Sequence, residues 1–216
     1  MTSIVVSSDA EIIAGSVDGR VRTYDIRMGK SLTDTFPASV TSLSLSRDGK
    51  VALVGTLDSK IRLMDRENGT CLRTYSDPER KNEELRVQSC FGGKDRFVVA
   101  GDEMPANAGG SSSPASGVDG NNTNPNDQSE GRIWAWDLES GALVAKIPVP
   151  WGPSPSSSAD TNAGGIKRPT ASTMMGRELE EVERKNVISC LAWKEDGYGN
   201  QFCVGGTSGI VSVFGE

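Results

Sequence analysis

Four cysteines, Cys71, Cys90, Cys190 and Cys203, are the residues of this 216-residue chain best suited to metal or thiol chemistry. None sits in a C-x-x-C pair, and each lies in a segment of strand-like composition, so their spacing points to buried thiols rather than a metal or redox centre. Histidine is absent altogether. That removes the commonest general base, the usual metal ligand and the base of a Ser-His or Cys-His pair. A carboxylate or lysine enzyme stays open in principle, but no site for one is visible. The expectation is a non-enzymatic chain with no cofactor, no stoichiometric metal and no small-molecule substrate; a tightly bound Zn²⁺ with Cys ligands would overturn it. Ser113-Pro114 and Ser154-Pro155 are minimal proline-directed phosphorylation sites, and Lys167-Arg168-Pro169-Thr170 fits a basophilic kinase pattern. Serine-rich tracts generate such matches by chance. The sequons Asn68-Gly69-Thr70 and Asn121-Asn122-Thr123 need a secretory route to mean anything.

Lys and Arg number 23 against 29 Asp and Glu, a net charge of -6, which argues against a surface built to neutralise phosphate backbones, so no direct nucleic-acid partner is expected. No apolar stretch approaches the roughly 20 residues that span a bilayer, and the first residues lack the features of a signal peptide. No membrane partner is expected, and the expected location is cytoplasmic and nuclear.

The elements that would position any site repeat along the chain. SVDGRVRTYDIRMGK (16–30), TLDSKIRLMDRENGT (56–70) and SEGRIWAWDLESGA (129–142) share a small or acidic turn, an alternating strand that ends in an aromatic or Met followed by Asp, and then a Gly. Asp25 and Asp65 are 40 positions apart, whereas Asp65 and Asp137 are 72 apart because a polar tract intervenes. A fourth copy, GGTSGIVSVFGE (205–216), lacks the Asp. Upstream of the copies, Ile4–Ser7, Val40–Leu45, Leu85–Phe91 and Val187–Trp193 read as first strands, and Ile12–Ser16, Val51–Thr56, Phe97–Gly101 and Phe202–Gly206 as second strands. RDGK (47–50) and VDGR (17–20) read as hairpin turns, with Asp-Gly suited to type I′. The class is all-β.

The pattern resembles the WD-repeat family, whose blades are four-stranded antiparallel sheets that end their third strand in Trp-Asp. Trp136-Asp137 is a full match; Tyr24-Asp25 and Met64-Asp65 are variants. The resemblance implies a structural role for the turn acids Asp18 and Asp58. The family's Gly-His dipeptide is missing from every repeat, so its usual side-chain network from Asp to His cannot form. AGSVDGRVRTYDIRMGK (14–30) with SLSRDGKVALVGTLDSKIRLMDRENG (44–69) is similar to the mitogen-activated protein kinase organizer subfamily of WD-repeat proteins, most densely over 11–76 and again over 131–149 and 186–214. The resemblance implies a protein-interaction scaffold with kinase-cascade components as partners. A splicing-complex subunit that contacts splicing factors is the alternative. A cullin-ligase substrate receptor is a third reading, on Tyr24-Asp25-Ile26-Arg27 as an imperfect Trp-Asp-x-Arg signature.

The expected organisation is a partial β-propeller of about four blades, 2–37, 38–77, 84–149 and 186–216. Because the resembled subfamily builds a seven-bladed ring, the four blades are expected to form an open arc, the C-terminal portion of a larger propeller, with apolar faces left bare and a tendency to aggregate. Two insertions, 104–130 and 150–185, have compositions too polar to offset chain entropy and are expected to be disordered and to leave from one face. Within the second, a short charged helix over 174–185 competes with a solvated turn, which is favoured at that length. The charged runs GRELEEVERK (176–185) and PERKNEE (78–84) read as solvated charge.

Overall fold

The computed structural model describes residues 1–7, 10–103, 131–149, 187–194, 201–207 and 209–215. Every regular element among them is a strand. β1 (Ser3–Ser7), β2 (Glu11–Gly15), β3 (Arg20–Asp25) and β4 (Lys30–Thr35) form the first antiparallel sheet. β5 (Val40–Leu45), β6 (Val51–Thr56), β7 (Lys60–Asp65) and β8 (Cys71–Tyr75) form the second. β9 (Ser89–Gly92), β10 (Phe97–Gly101), β11 (Gly131–Asp137) and β12 (Leu143–Val149) form the third. β13 (Ile188–Lys194), β14 (Gln201–Gly206) and β15 (Val211–Phe214) form the three-stranded fourth. Each sheet is a simple up-and-down meander, and the inner strands pack in series, β1 on β5, β5 on β9, β9 on β13. The four sheets form an open series rather than a closed ring, an architecture consistent with the expected partial WD-repeat propeller.

Strand alternation explains how each sheet serves two neighbours, because successive side chains leave opposite faces. On β6, Val54 packs toward the first sheet with Ile13, Val21, Phe36 and Val40, while its neighbour Leu53 packs toward the third with Phe91, Val98, Trp134 and Trp136. On β10, Val98 and Ala100 face the second sheet and Val99 faces the fourth, where it meets Ile133, Val149, Ile188 and Val204. The core is therefore three layers between sheets. At the two ends of the series the alternation leaves one face of each terminal sheet bare: Ile4 and Val6 are 54% and 67% exposed on the first, Val211 and Val213 are 67% and 72% exposed on the fourth.

Close approach of sheets depends on a few glycines. A Cβ on Gly101 would lie 2.0 Å from the carbonyl oxygen of Ile188 in the next sheet, and one on Gly92 would lie 2.8 Å from the Trp193 ring. Trp193, Phe202 and Phe214 stack at centroid separations of 5.0 and 4.9 Å and cover that approach.

Several sequence expectations need correction. The first strand of the third repeat starts at Ser89, not Leu85, because residues 82–85 are held by the Glu103 carboxylate instead of a partner strand. In the two Asp-Gly hairpins only Gly19 and Gly49 have positive φ, at 74° and 70°. A type I′ turn needs positive φ at both central residues; here the Asp spends its carboxylate on a preceding hydroxyl, Ser16 or Ser46, and the Gly alone takes the left-handed position. The thiols are not buried: Cys71 and Cys190 are exposed, Cys90 and Cys203 half-buried. Cys71 lies on an outer strand opposite Met64, and Cys190 lines the groove between the inner strands, so strand composition alone misjudged their faces. Both expected insertions, with the 174–185 segment and the phosphorylation motifs, lie outside the described residues. Of the described segments that flank them, the ends at Gly101, Gly131 and Val149 share one end of the third sheet, since Gly131 pairs with Val149 and Ile133 with Gly101, while Val187 leads into the fourth.

Candidate functional site

The repeat positions singled out in the sequence form three copies of one turn. At the end of β3, Asp25 Oδ1 accepts the backbone N–H groups of Arg27 and Met28 at 2.8 and 2.9 Å, and its carbonyl accepts that of Gly29 at 2.9 Å. Asp65 holds Glu67 at 2.8 Å and Asn68 at 3.4 Å, and Gly69 closes the turn at 3.0 Å. Asp137 holds the Ser140 N–H and hydroxyl at 2.8 and 2.7 Å, and Gly141 closes at 2.9 Å. Gly29, Gly69 and Gly141 all have positive φ, 64°, 66° and 72°, which explains the Gly four residues after each Asp. The Trp136 and Met64 side chains, each before its Asp, face the preceding sheet. Trp136 is buried against Tyr75 and Trp134, Met64 is half-buried, and Tyr24, with no described sheet before it, is 41% exposed.

A second device closes the opposite end of the first two sheets and recurs in altered form in the third. Asp58, in the β6–β7 turn, accepts the Thr56 hydroxyl and an Arg62 ion pair at 2.5 Å, and Arg62 also donates to Thr56 at 2.6 Å. Asp18 repeats this with Ser16 and Arg22, the ion pair being 2.7 Å. Arginine on the third strand thus takes up the turn acid in place of the missing histidine. The third sheet inverts the roles. Asp102 stands at the register position of Ser16 and Thr56 and is fully buried; it accepts Trp134 Nε1 at 2.7 Å and pairs with Arg132 at 3.0 Å. Neither Asp102 nor Arg132 belongs to the sequence-predicted set. The only signal was the repeat alignment, which sets Asp102 where two hydroxyls recur.

The run 78–84 is the other correction. Arg80 and Asn82 are buried, 3% and 1% exposed, rather than solvated. Arg80 donates to the carbonyls of Gly101 and Ser59 at 3.1 and 3.0 Å and so bolts the third sheet to the turn of the second. Burial lowers its guanidinium to about 10, with Asp102, Glu103 and Asp58 pulling the other way, so it is fully charged at neutral pH. Glu103 accepts the Asn82 amide and the backbone N–H groups of Glu83, Glu84 and Leu85. Arg132 and Lys146 reach Glu79 from the third sheet.

These polar groups hold backbone and neighbouring blades. Among the described residues no group of three or more His, Cys, Asp or Glu is arranged to hold a metal. Two concave surfaces stand out. One is a groove along the inner strands lined with Ser42, Ser44, Ser89 and Ser189 and flanked by Cys90 and Cys190. The other is a groove of about 280 Å³ between the first two sheets, with an apolar floor and charged rim.

The turn acids set the acid behaviour. Backbone N–H donors, first that of Glu67, hold Asp65 below its ordinary range; the Ser140 N–H does the same for Asp137 and the Ser46 hydroxyl for Asp48. For Asp58, burial raises the value, and the Arg62 and Thr56 hydrogen bonds together outweigh it. Carboxylates depressed in the folded state stabilise it above their unfolded value, about 3.9, and that stabilisation is lost as pH falls through the folded values. The urea midpoint is therefore expected to be level from pH 7 to about 5 and to fall below about 4. The double variant Asp65→Asn, Asp137→Asn should show a shallower acid limb; an unchanged limb would remove these turns from the explanation.

Comparison with known proteins agrees with this geometry. Residues 30–65 match the family "WD domain, G-beta repeat". The chain is 35% identical over 147 residues to WD repeat domain-containing protein 83 of Rattus norvegicus, covering 68% of this chain and 38% of that protein. It is 36% identical over 95 residues to the WD repeat domain-containing protein 83 homolog of Dictyostelium discoideum, 43% of this chain and 28% of that protein. It is 33% identical over 70 residues to eukaryotic translation initiation factor 3 subunit I of Drosophila ananassae, 31% of this chain and 22% of that protein. The chain spans well under half the length of the curated relatives it matches. Strands, turns and these matches together support the WD-repeat family.

Proposed function

We propose that this set of WD-type blades is a non-enzymatic protein-interaction scaffold that serves a mitogen-activated protein kinase cascade. The observation that carries the scaffold reading is the pairing of stiff turns with apolar tips. The Asp25 carboxylate pins the β3–β4 turn, and that turn holds Ile26 and Met28 59% and 64% exposed; the β2–β3 turn clamped by Asp18 holds Val17 65% exposed. Apolar side chains on preorganised loops lose little entropy on binding and mark contact surfaces. The kinase-cascade assignment rests on the resemblance over residues 11–76; the similarity to WD repeat domain-containing protein 83 supports the WD-repeat part of the reading.

Affinity purification of the tagged chain from cells, beside an Ile26→Ser, Met28→Ser variant, tests both levels. Kinase-cascade components are expected to dominate the bound set and to fall by about ten-fold with the variant. Splicing factors or ligase adaptors in their place would replace the kinase assignment and keep the scaffold. No specific protein retained by the native chain would overturn the scaffold reading.

A further inference from the structure

The groove between the first two sheets exists because two residues that plug the other inter-sheet layers are replaced there. Tyr75, paired with Ile61, and Ile147, paired with Ile133, occupy one register position on the outer strands of the second and third sheets; in the first sheet that position, paired with Val21, is Asp34. Across each layer the facing residue near the end of the third strand is Trp136, then Phe214, but Met64 in the first layer. Tyr75 and Trp136 close their layer with ring centroids 6.3 Å apart. Asp34 is too short and too polar, and the slender Met64 side chain lacks the breadth of a ring, to do so, and the gap stays open over a floor of Ile13, Val21, Phe36 and Val54.

The charges around the gap are unbalanced. Glu11, Asp25, Asp34 and Asp65 line it against Lys30 and Arg66. Arg66 is spent on Glu11 and on the Gly49 carbonyl. Lys30 is exposed at the outer lip. Asp34 is half-buried, faces the β7–β8 turn so closely that a Cβ on Gly69 would stand 3.3 Å from its Oδ1, and has no hydrogen-bond or ion-pair partner among the described residues. A half-buried carboxylate without a partner above an apolar cleft is complementary to a cation attached to an apolar group.

We infer that this groove docks an extended segment of a partner protein in which a Leu, Met or Ile side chain enters the cleft and an adjacent Lys or Arg pairs with Asp34. The inference adds a site and an occupant to the scaffold reading and rests on that reading only in taking the occupant to be a protein segment. Selection of a phage-displayed library of random octapeptides against the full 216-residue chain tests it without reference to any cellular partner. The same selection runs against Asp34→Asn and against Asp34→Tyr, which places in the gap the residue that fills the next layer. Peptides with a bulky aliphatic residue within two positions of Lys or Arg are expected from the native chain. Their synthetic counterparts should shift the methyl resonance of Met64, bind Asp34→Asn about ten-fold more weakly and lose binding to Asp34→Tyr. Retained thermal transitions in both variants show that folding is not the cause. Enrichment of the same motif by Asp34→Tyr, motifs without a basic residue, shifts confined to other methyls, or no enrichment would each overturn the inference. Failure here leaves the scaffold reading to its own purification test.

Discussion

Truncating Trp136 to Ala is expected to cost about 3–5 kcal/mol of folding stability, the loss found for large aromatic side chains removed from packed cores. Trp136 is 1% exposed and stacks with Trp134 at 6.1 Å while meeting Tyr75 at 6.3 Å, so its removal empties the layer between the second and third sheets. The same truncation at the two equivalent positions should cost far less. Met64 is half-buried beside an open groove, and Met64→Ala should cost about 1–2 kcal/mol, below the range for a fully buried Met. Tyr24 faces no described sheet, and Tyr24→Ala should cost about 0.5 kcal/mol or less, as for most surface changes. Urea unfolding of the three variants checks the order. Equal losses at all three would mean that the motif position, and not its burial, carries the energy.

Replacing Asp102 by Ala is expected to destabilise the chain by about 3–5 kcal/mol, because removing one member of a buried ion pair strands the other. Arg132, 5% exposed, would keep its charge without a carboxylate, and the buried Trp134 Nε1–H would lose its acceptor. Part of the penalty arises from Arg80, whose charge Asp102 also favours. Asp102→Asn retains an acceptor for Trp134 but not the countercharge, so its loss should be intermediate. Urea midpoints of the two variants, read with Trp fluorescence, test this. A loss below about 1 kcal/mol for the Ala variant would show that water or neighbouring groups replace the carboxylate freely. The corresponding clips of the first two sheets are more exposed and their loss should be smaller, since solvent screens an exposed pair.

How much was legible in the sequence depends on how far each feature reaches along the chain. Alternation over five or six residues and a Gly four positions after an Asp are local patterns. The all-β class, the four repeats, second strands such as Val51–Thr56 and Phe97–Gly101, and the turns at Asp25, Asp65 and Asp137 could be read directly from them. The absence of histidine could be read as well, but that Arg22 and Arg62 take up the turn acids could not. Burial is different, because it is decided by what the neighbouring sheet presents. Three chemically related positions, Tyr24, Met64 and Trp136, ended exposed, half-buried and buried according to the sheet in front of them. The charged run 78–84 looked solvated by composition, yet Arg80 and Asn82 are interred where the chain crosses between sheets and finds the carbonyls of Ser59 and Gly101 waiting. The thiols read as core from strand composition face outward or into a groove, since a strand has two faces and composition does not say which is covered. The sequence by itself determined the repeat and its turns, which are held by bonds within a few residues. Only the tertiary structure decided which repeat positions are core, where Asp102 finds Trp134 and Arg132, and why the first inter-sheet layer stays open, because each of these is set by side chains that meet across tens of residues of intervening chain.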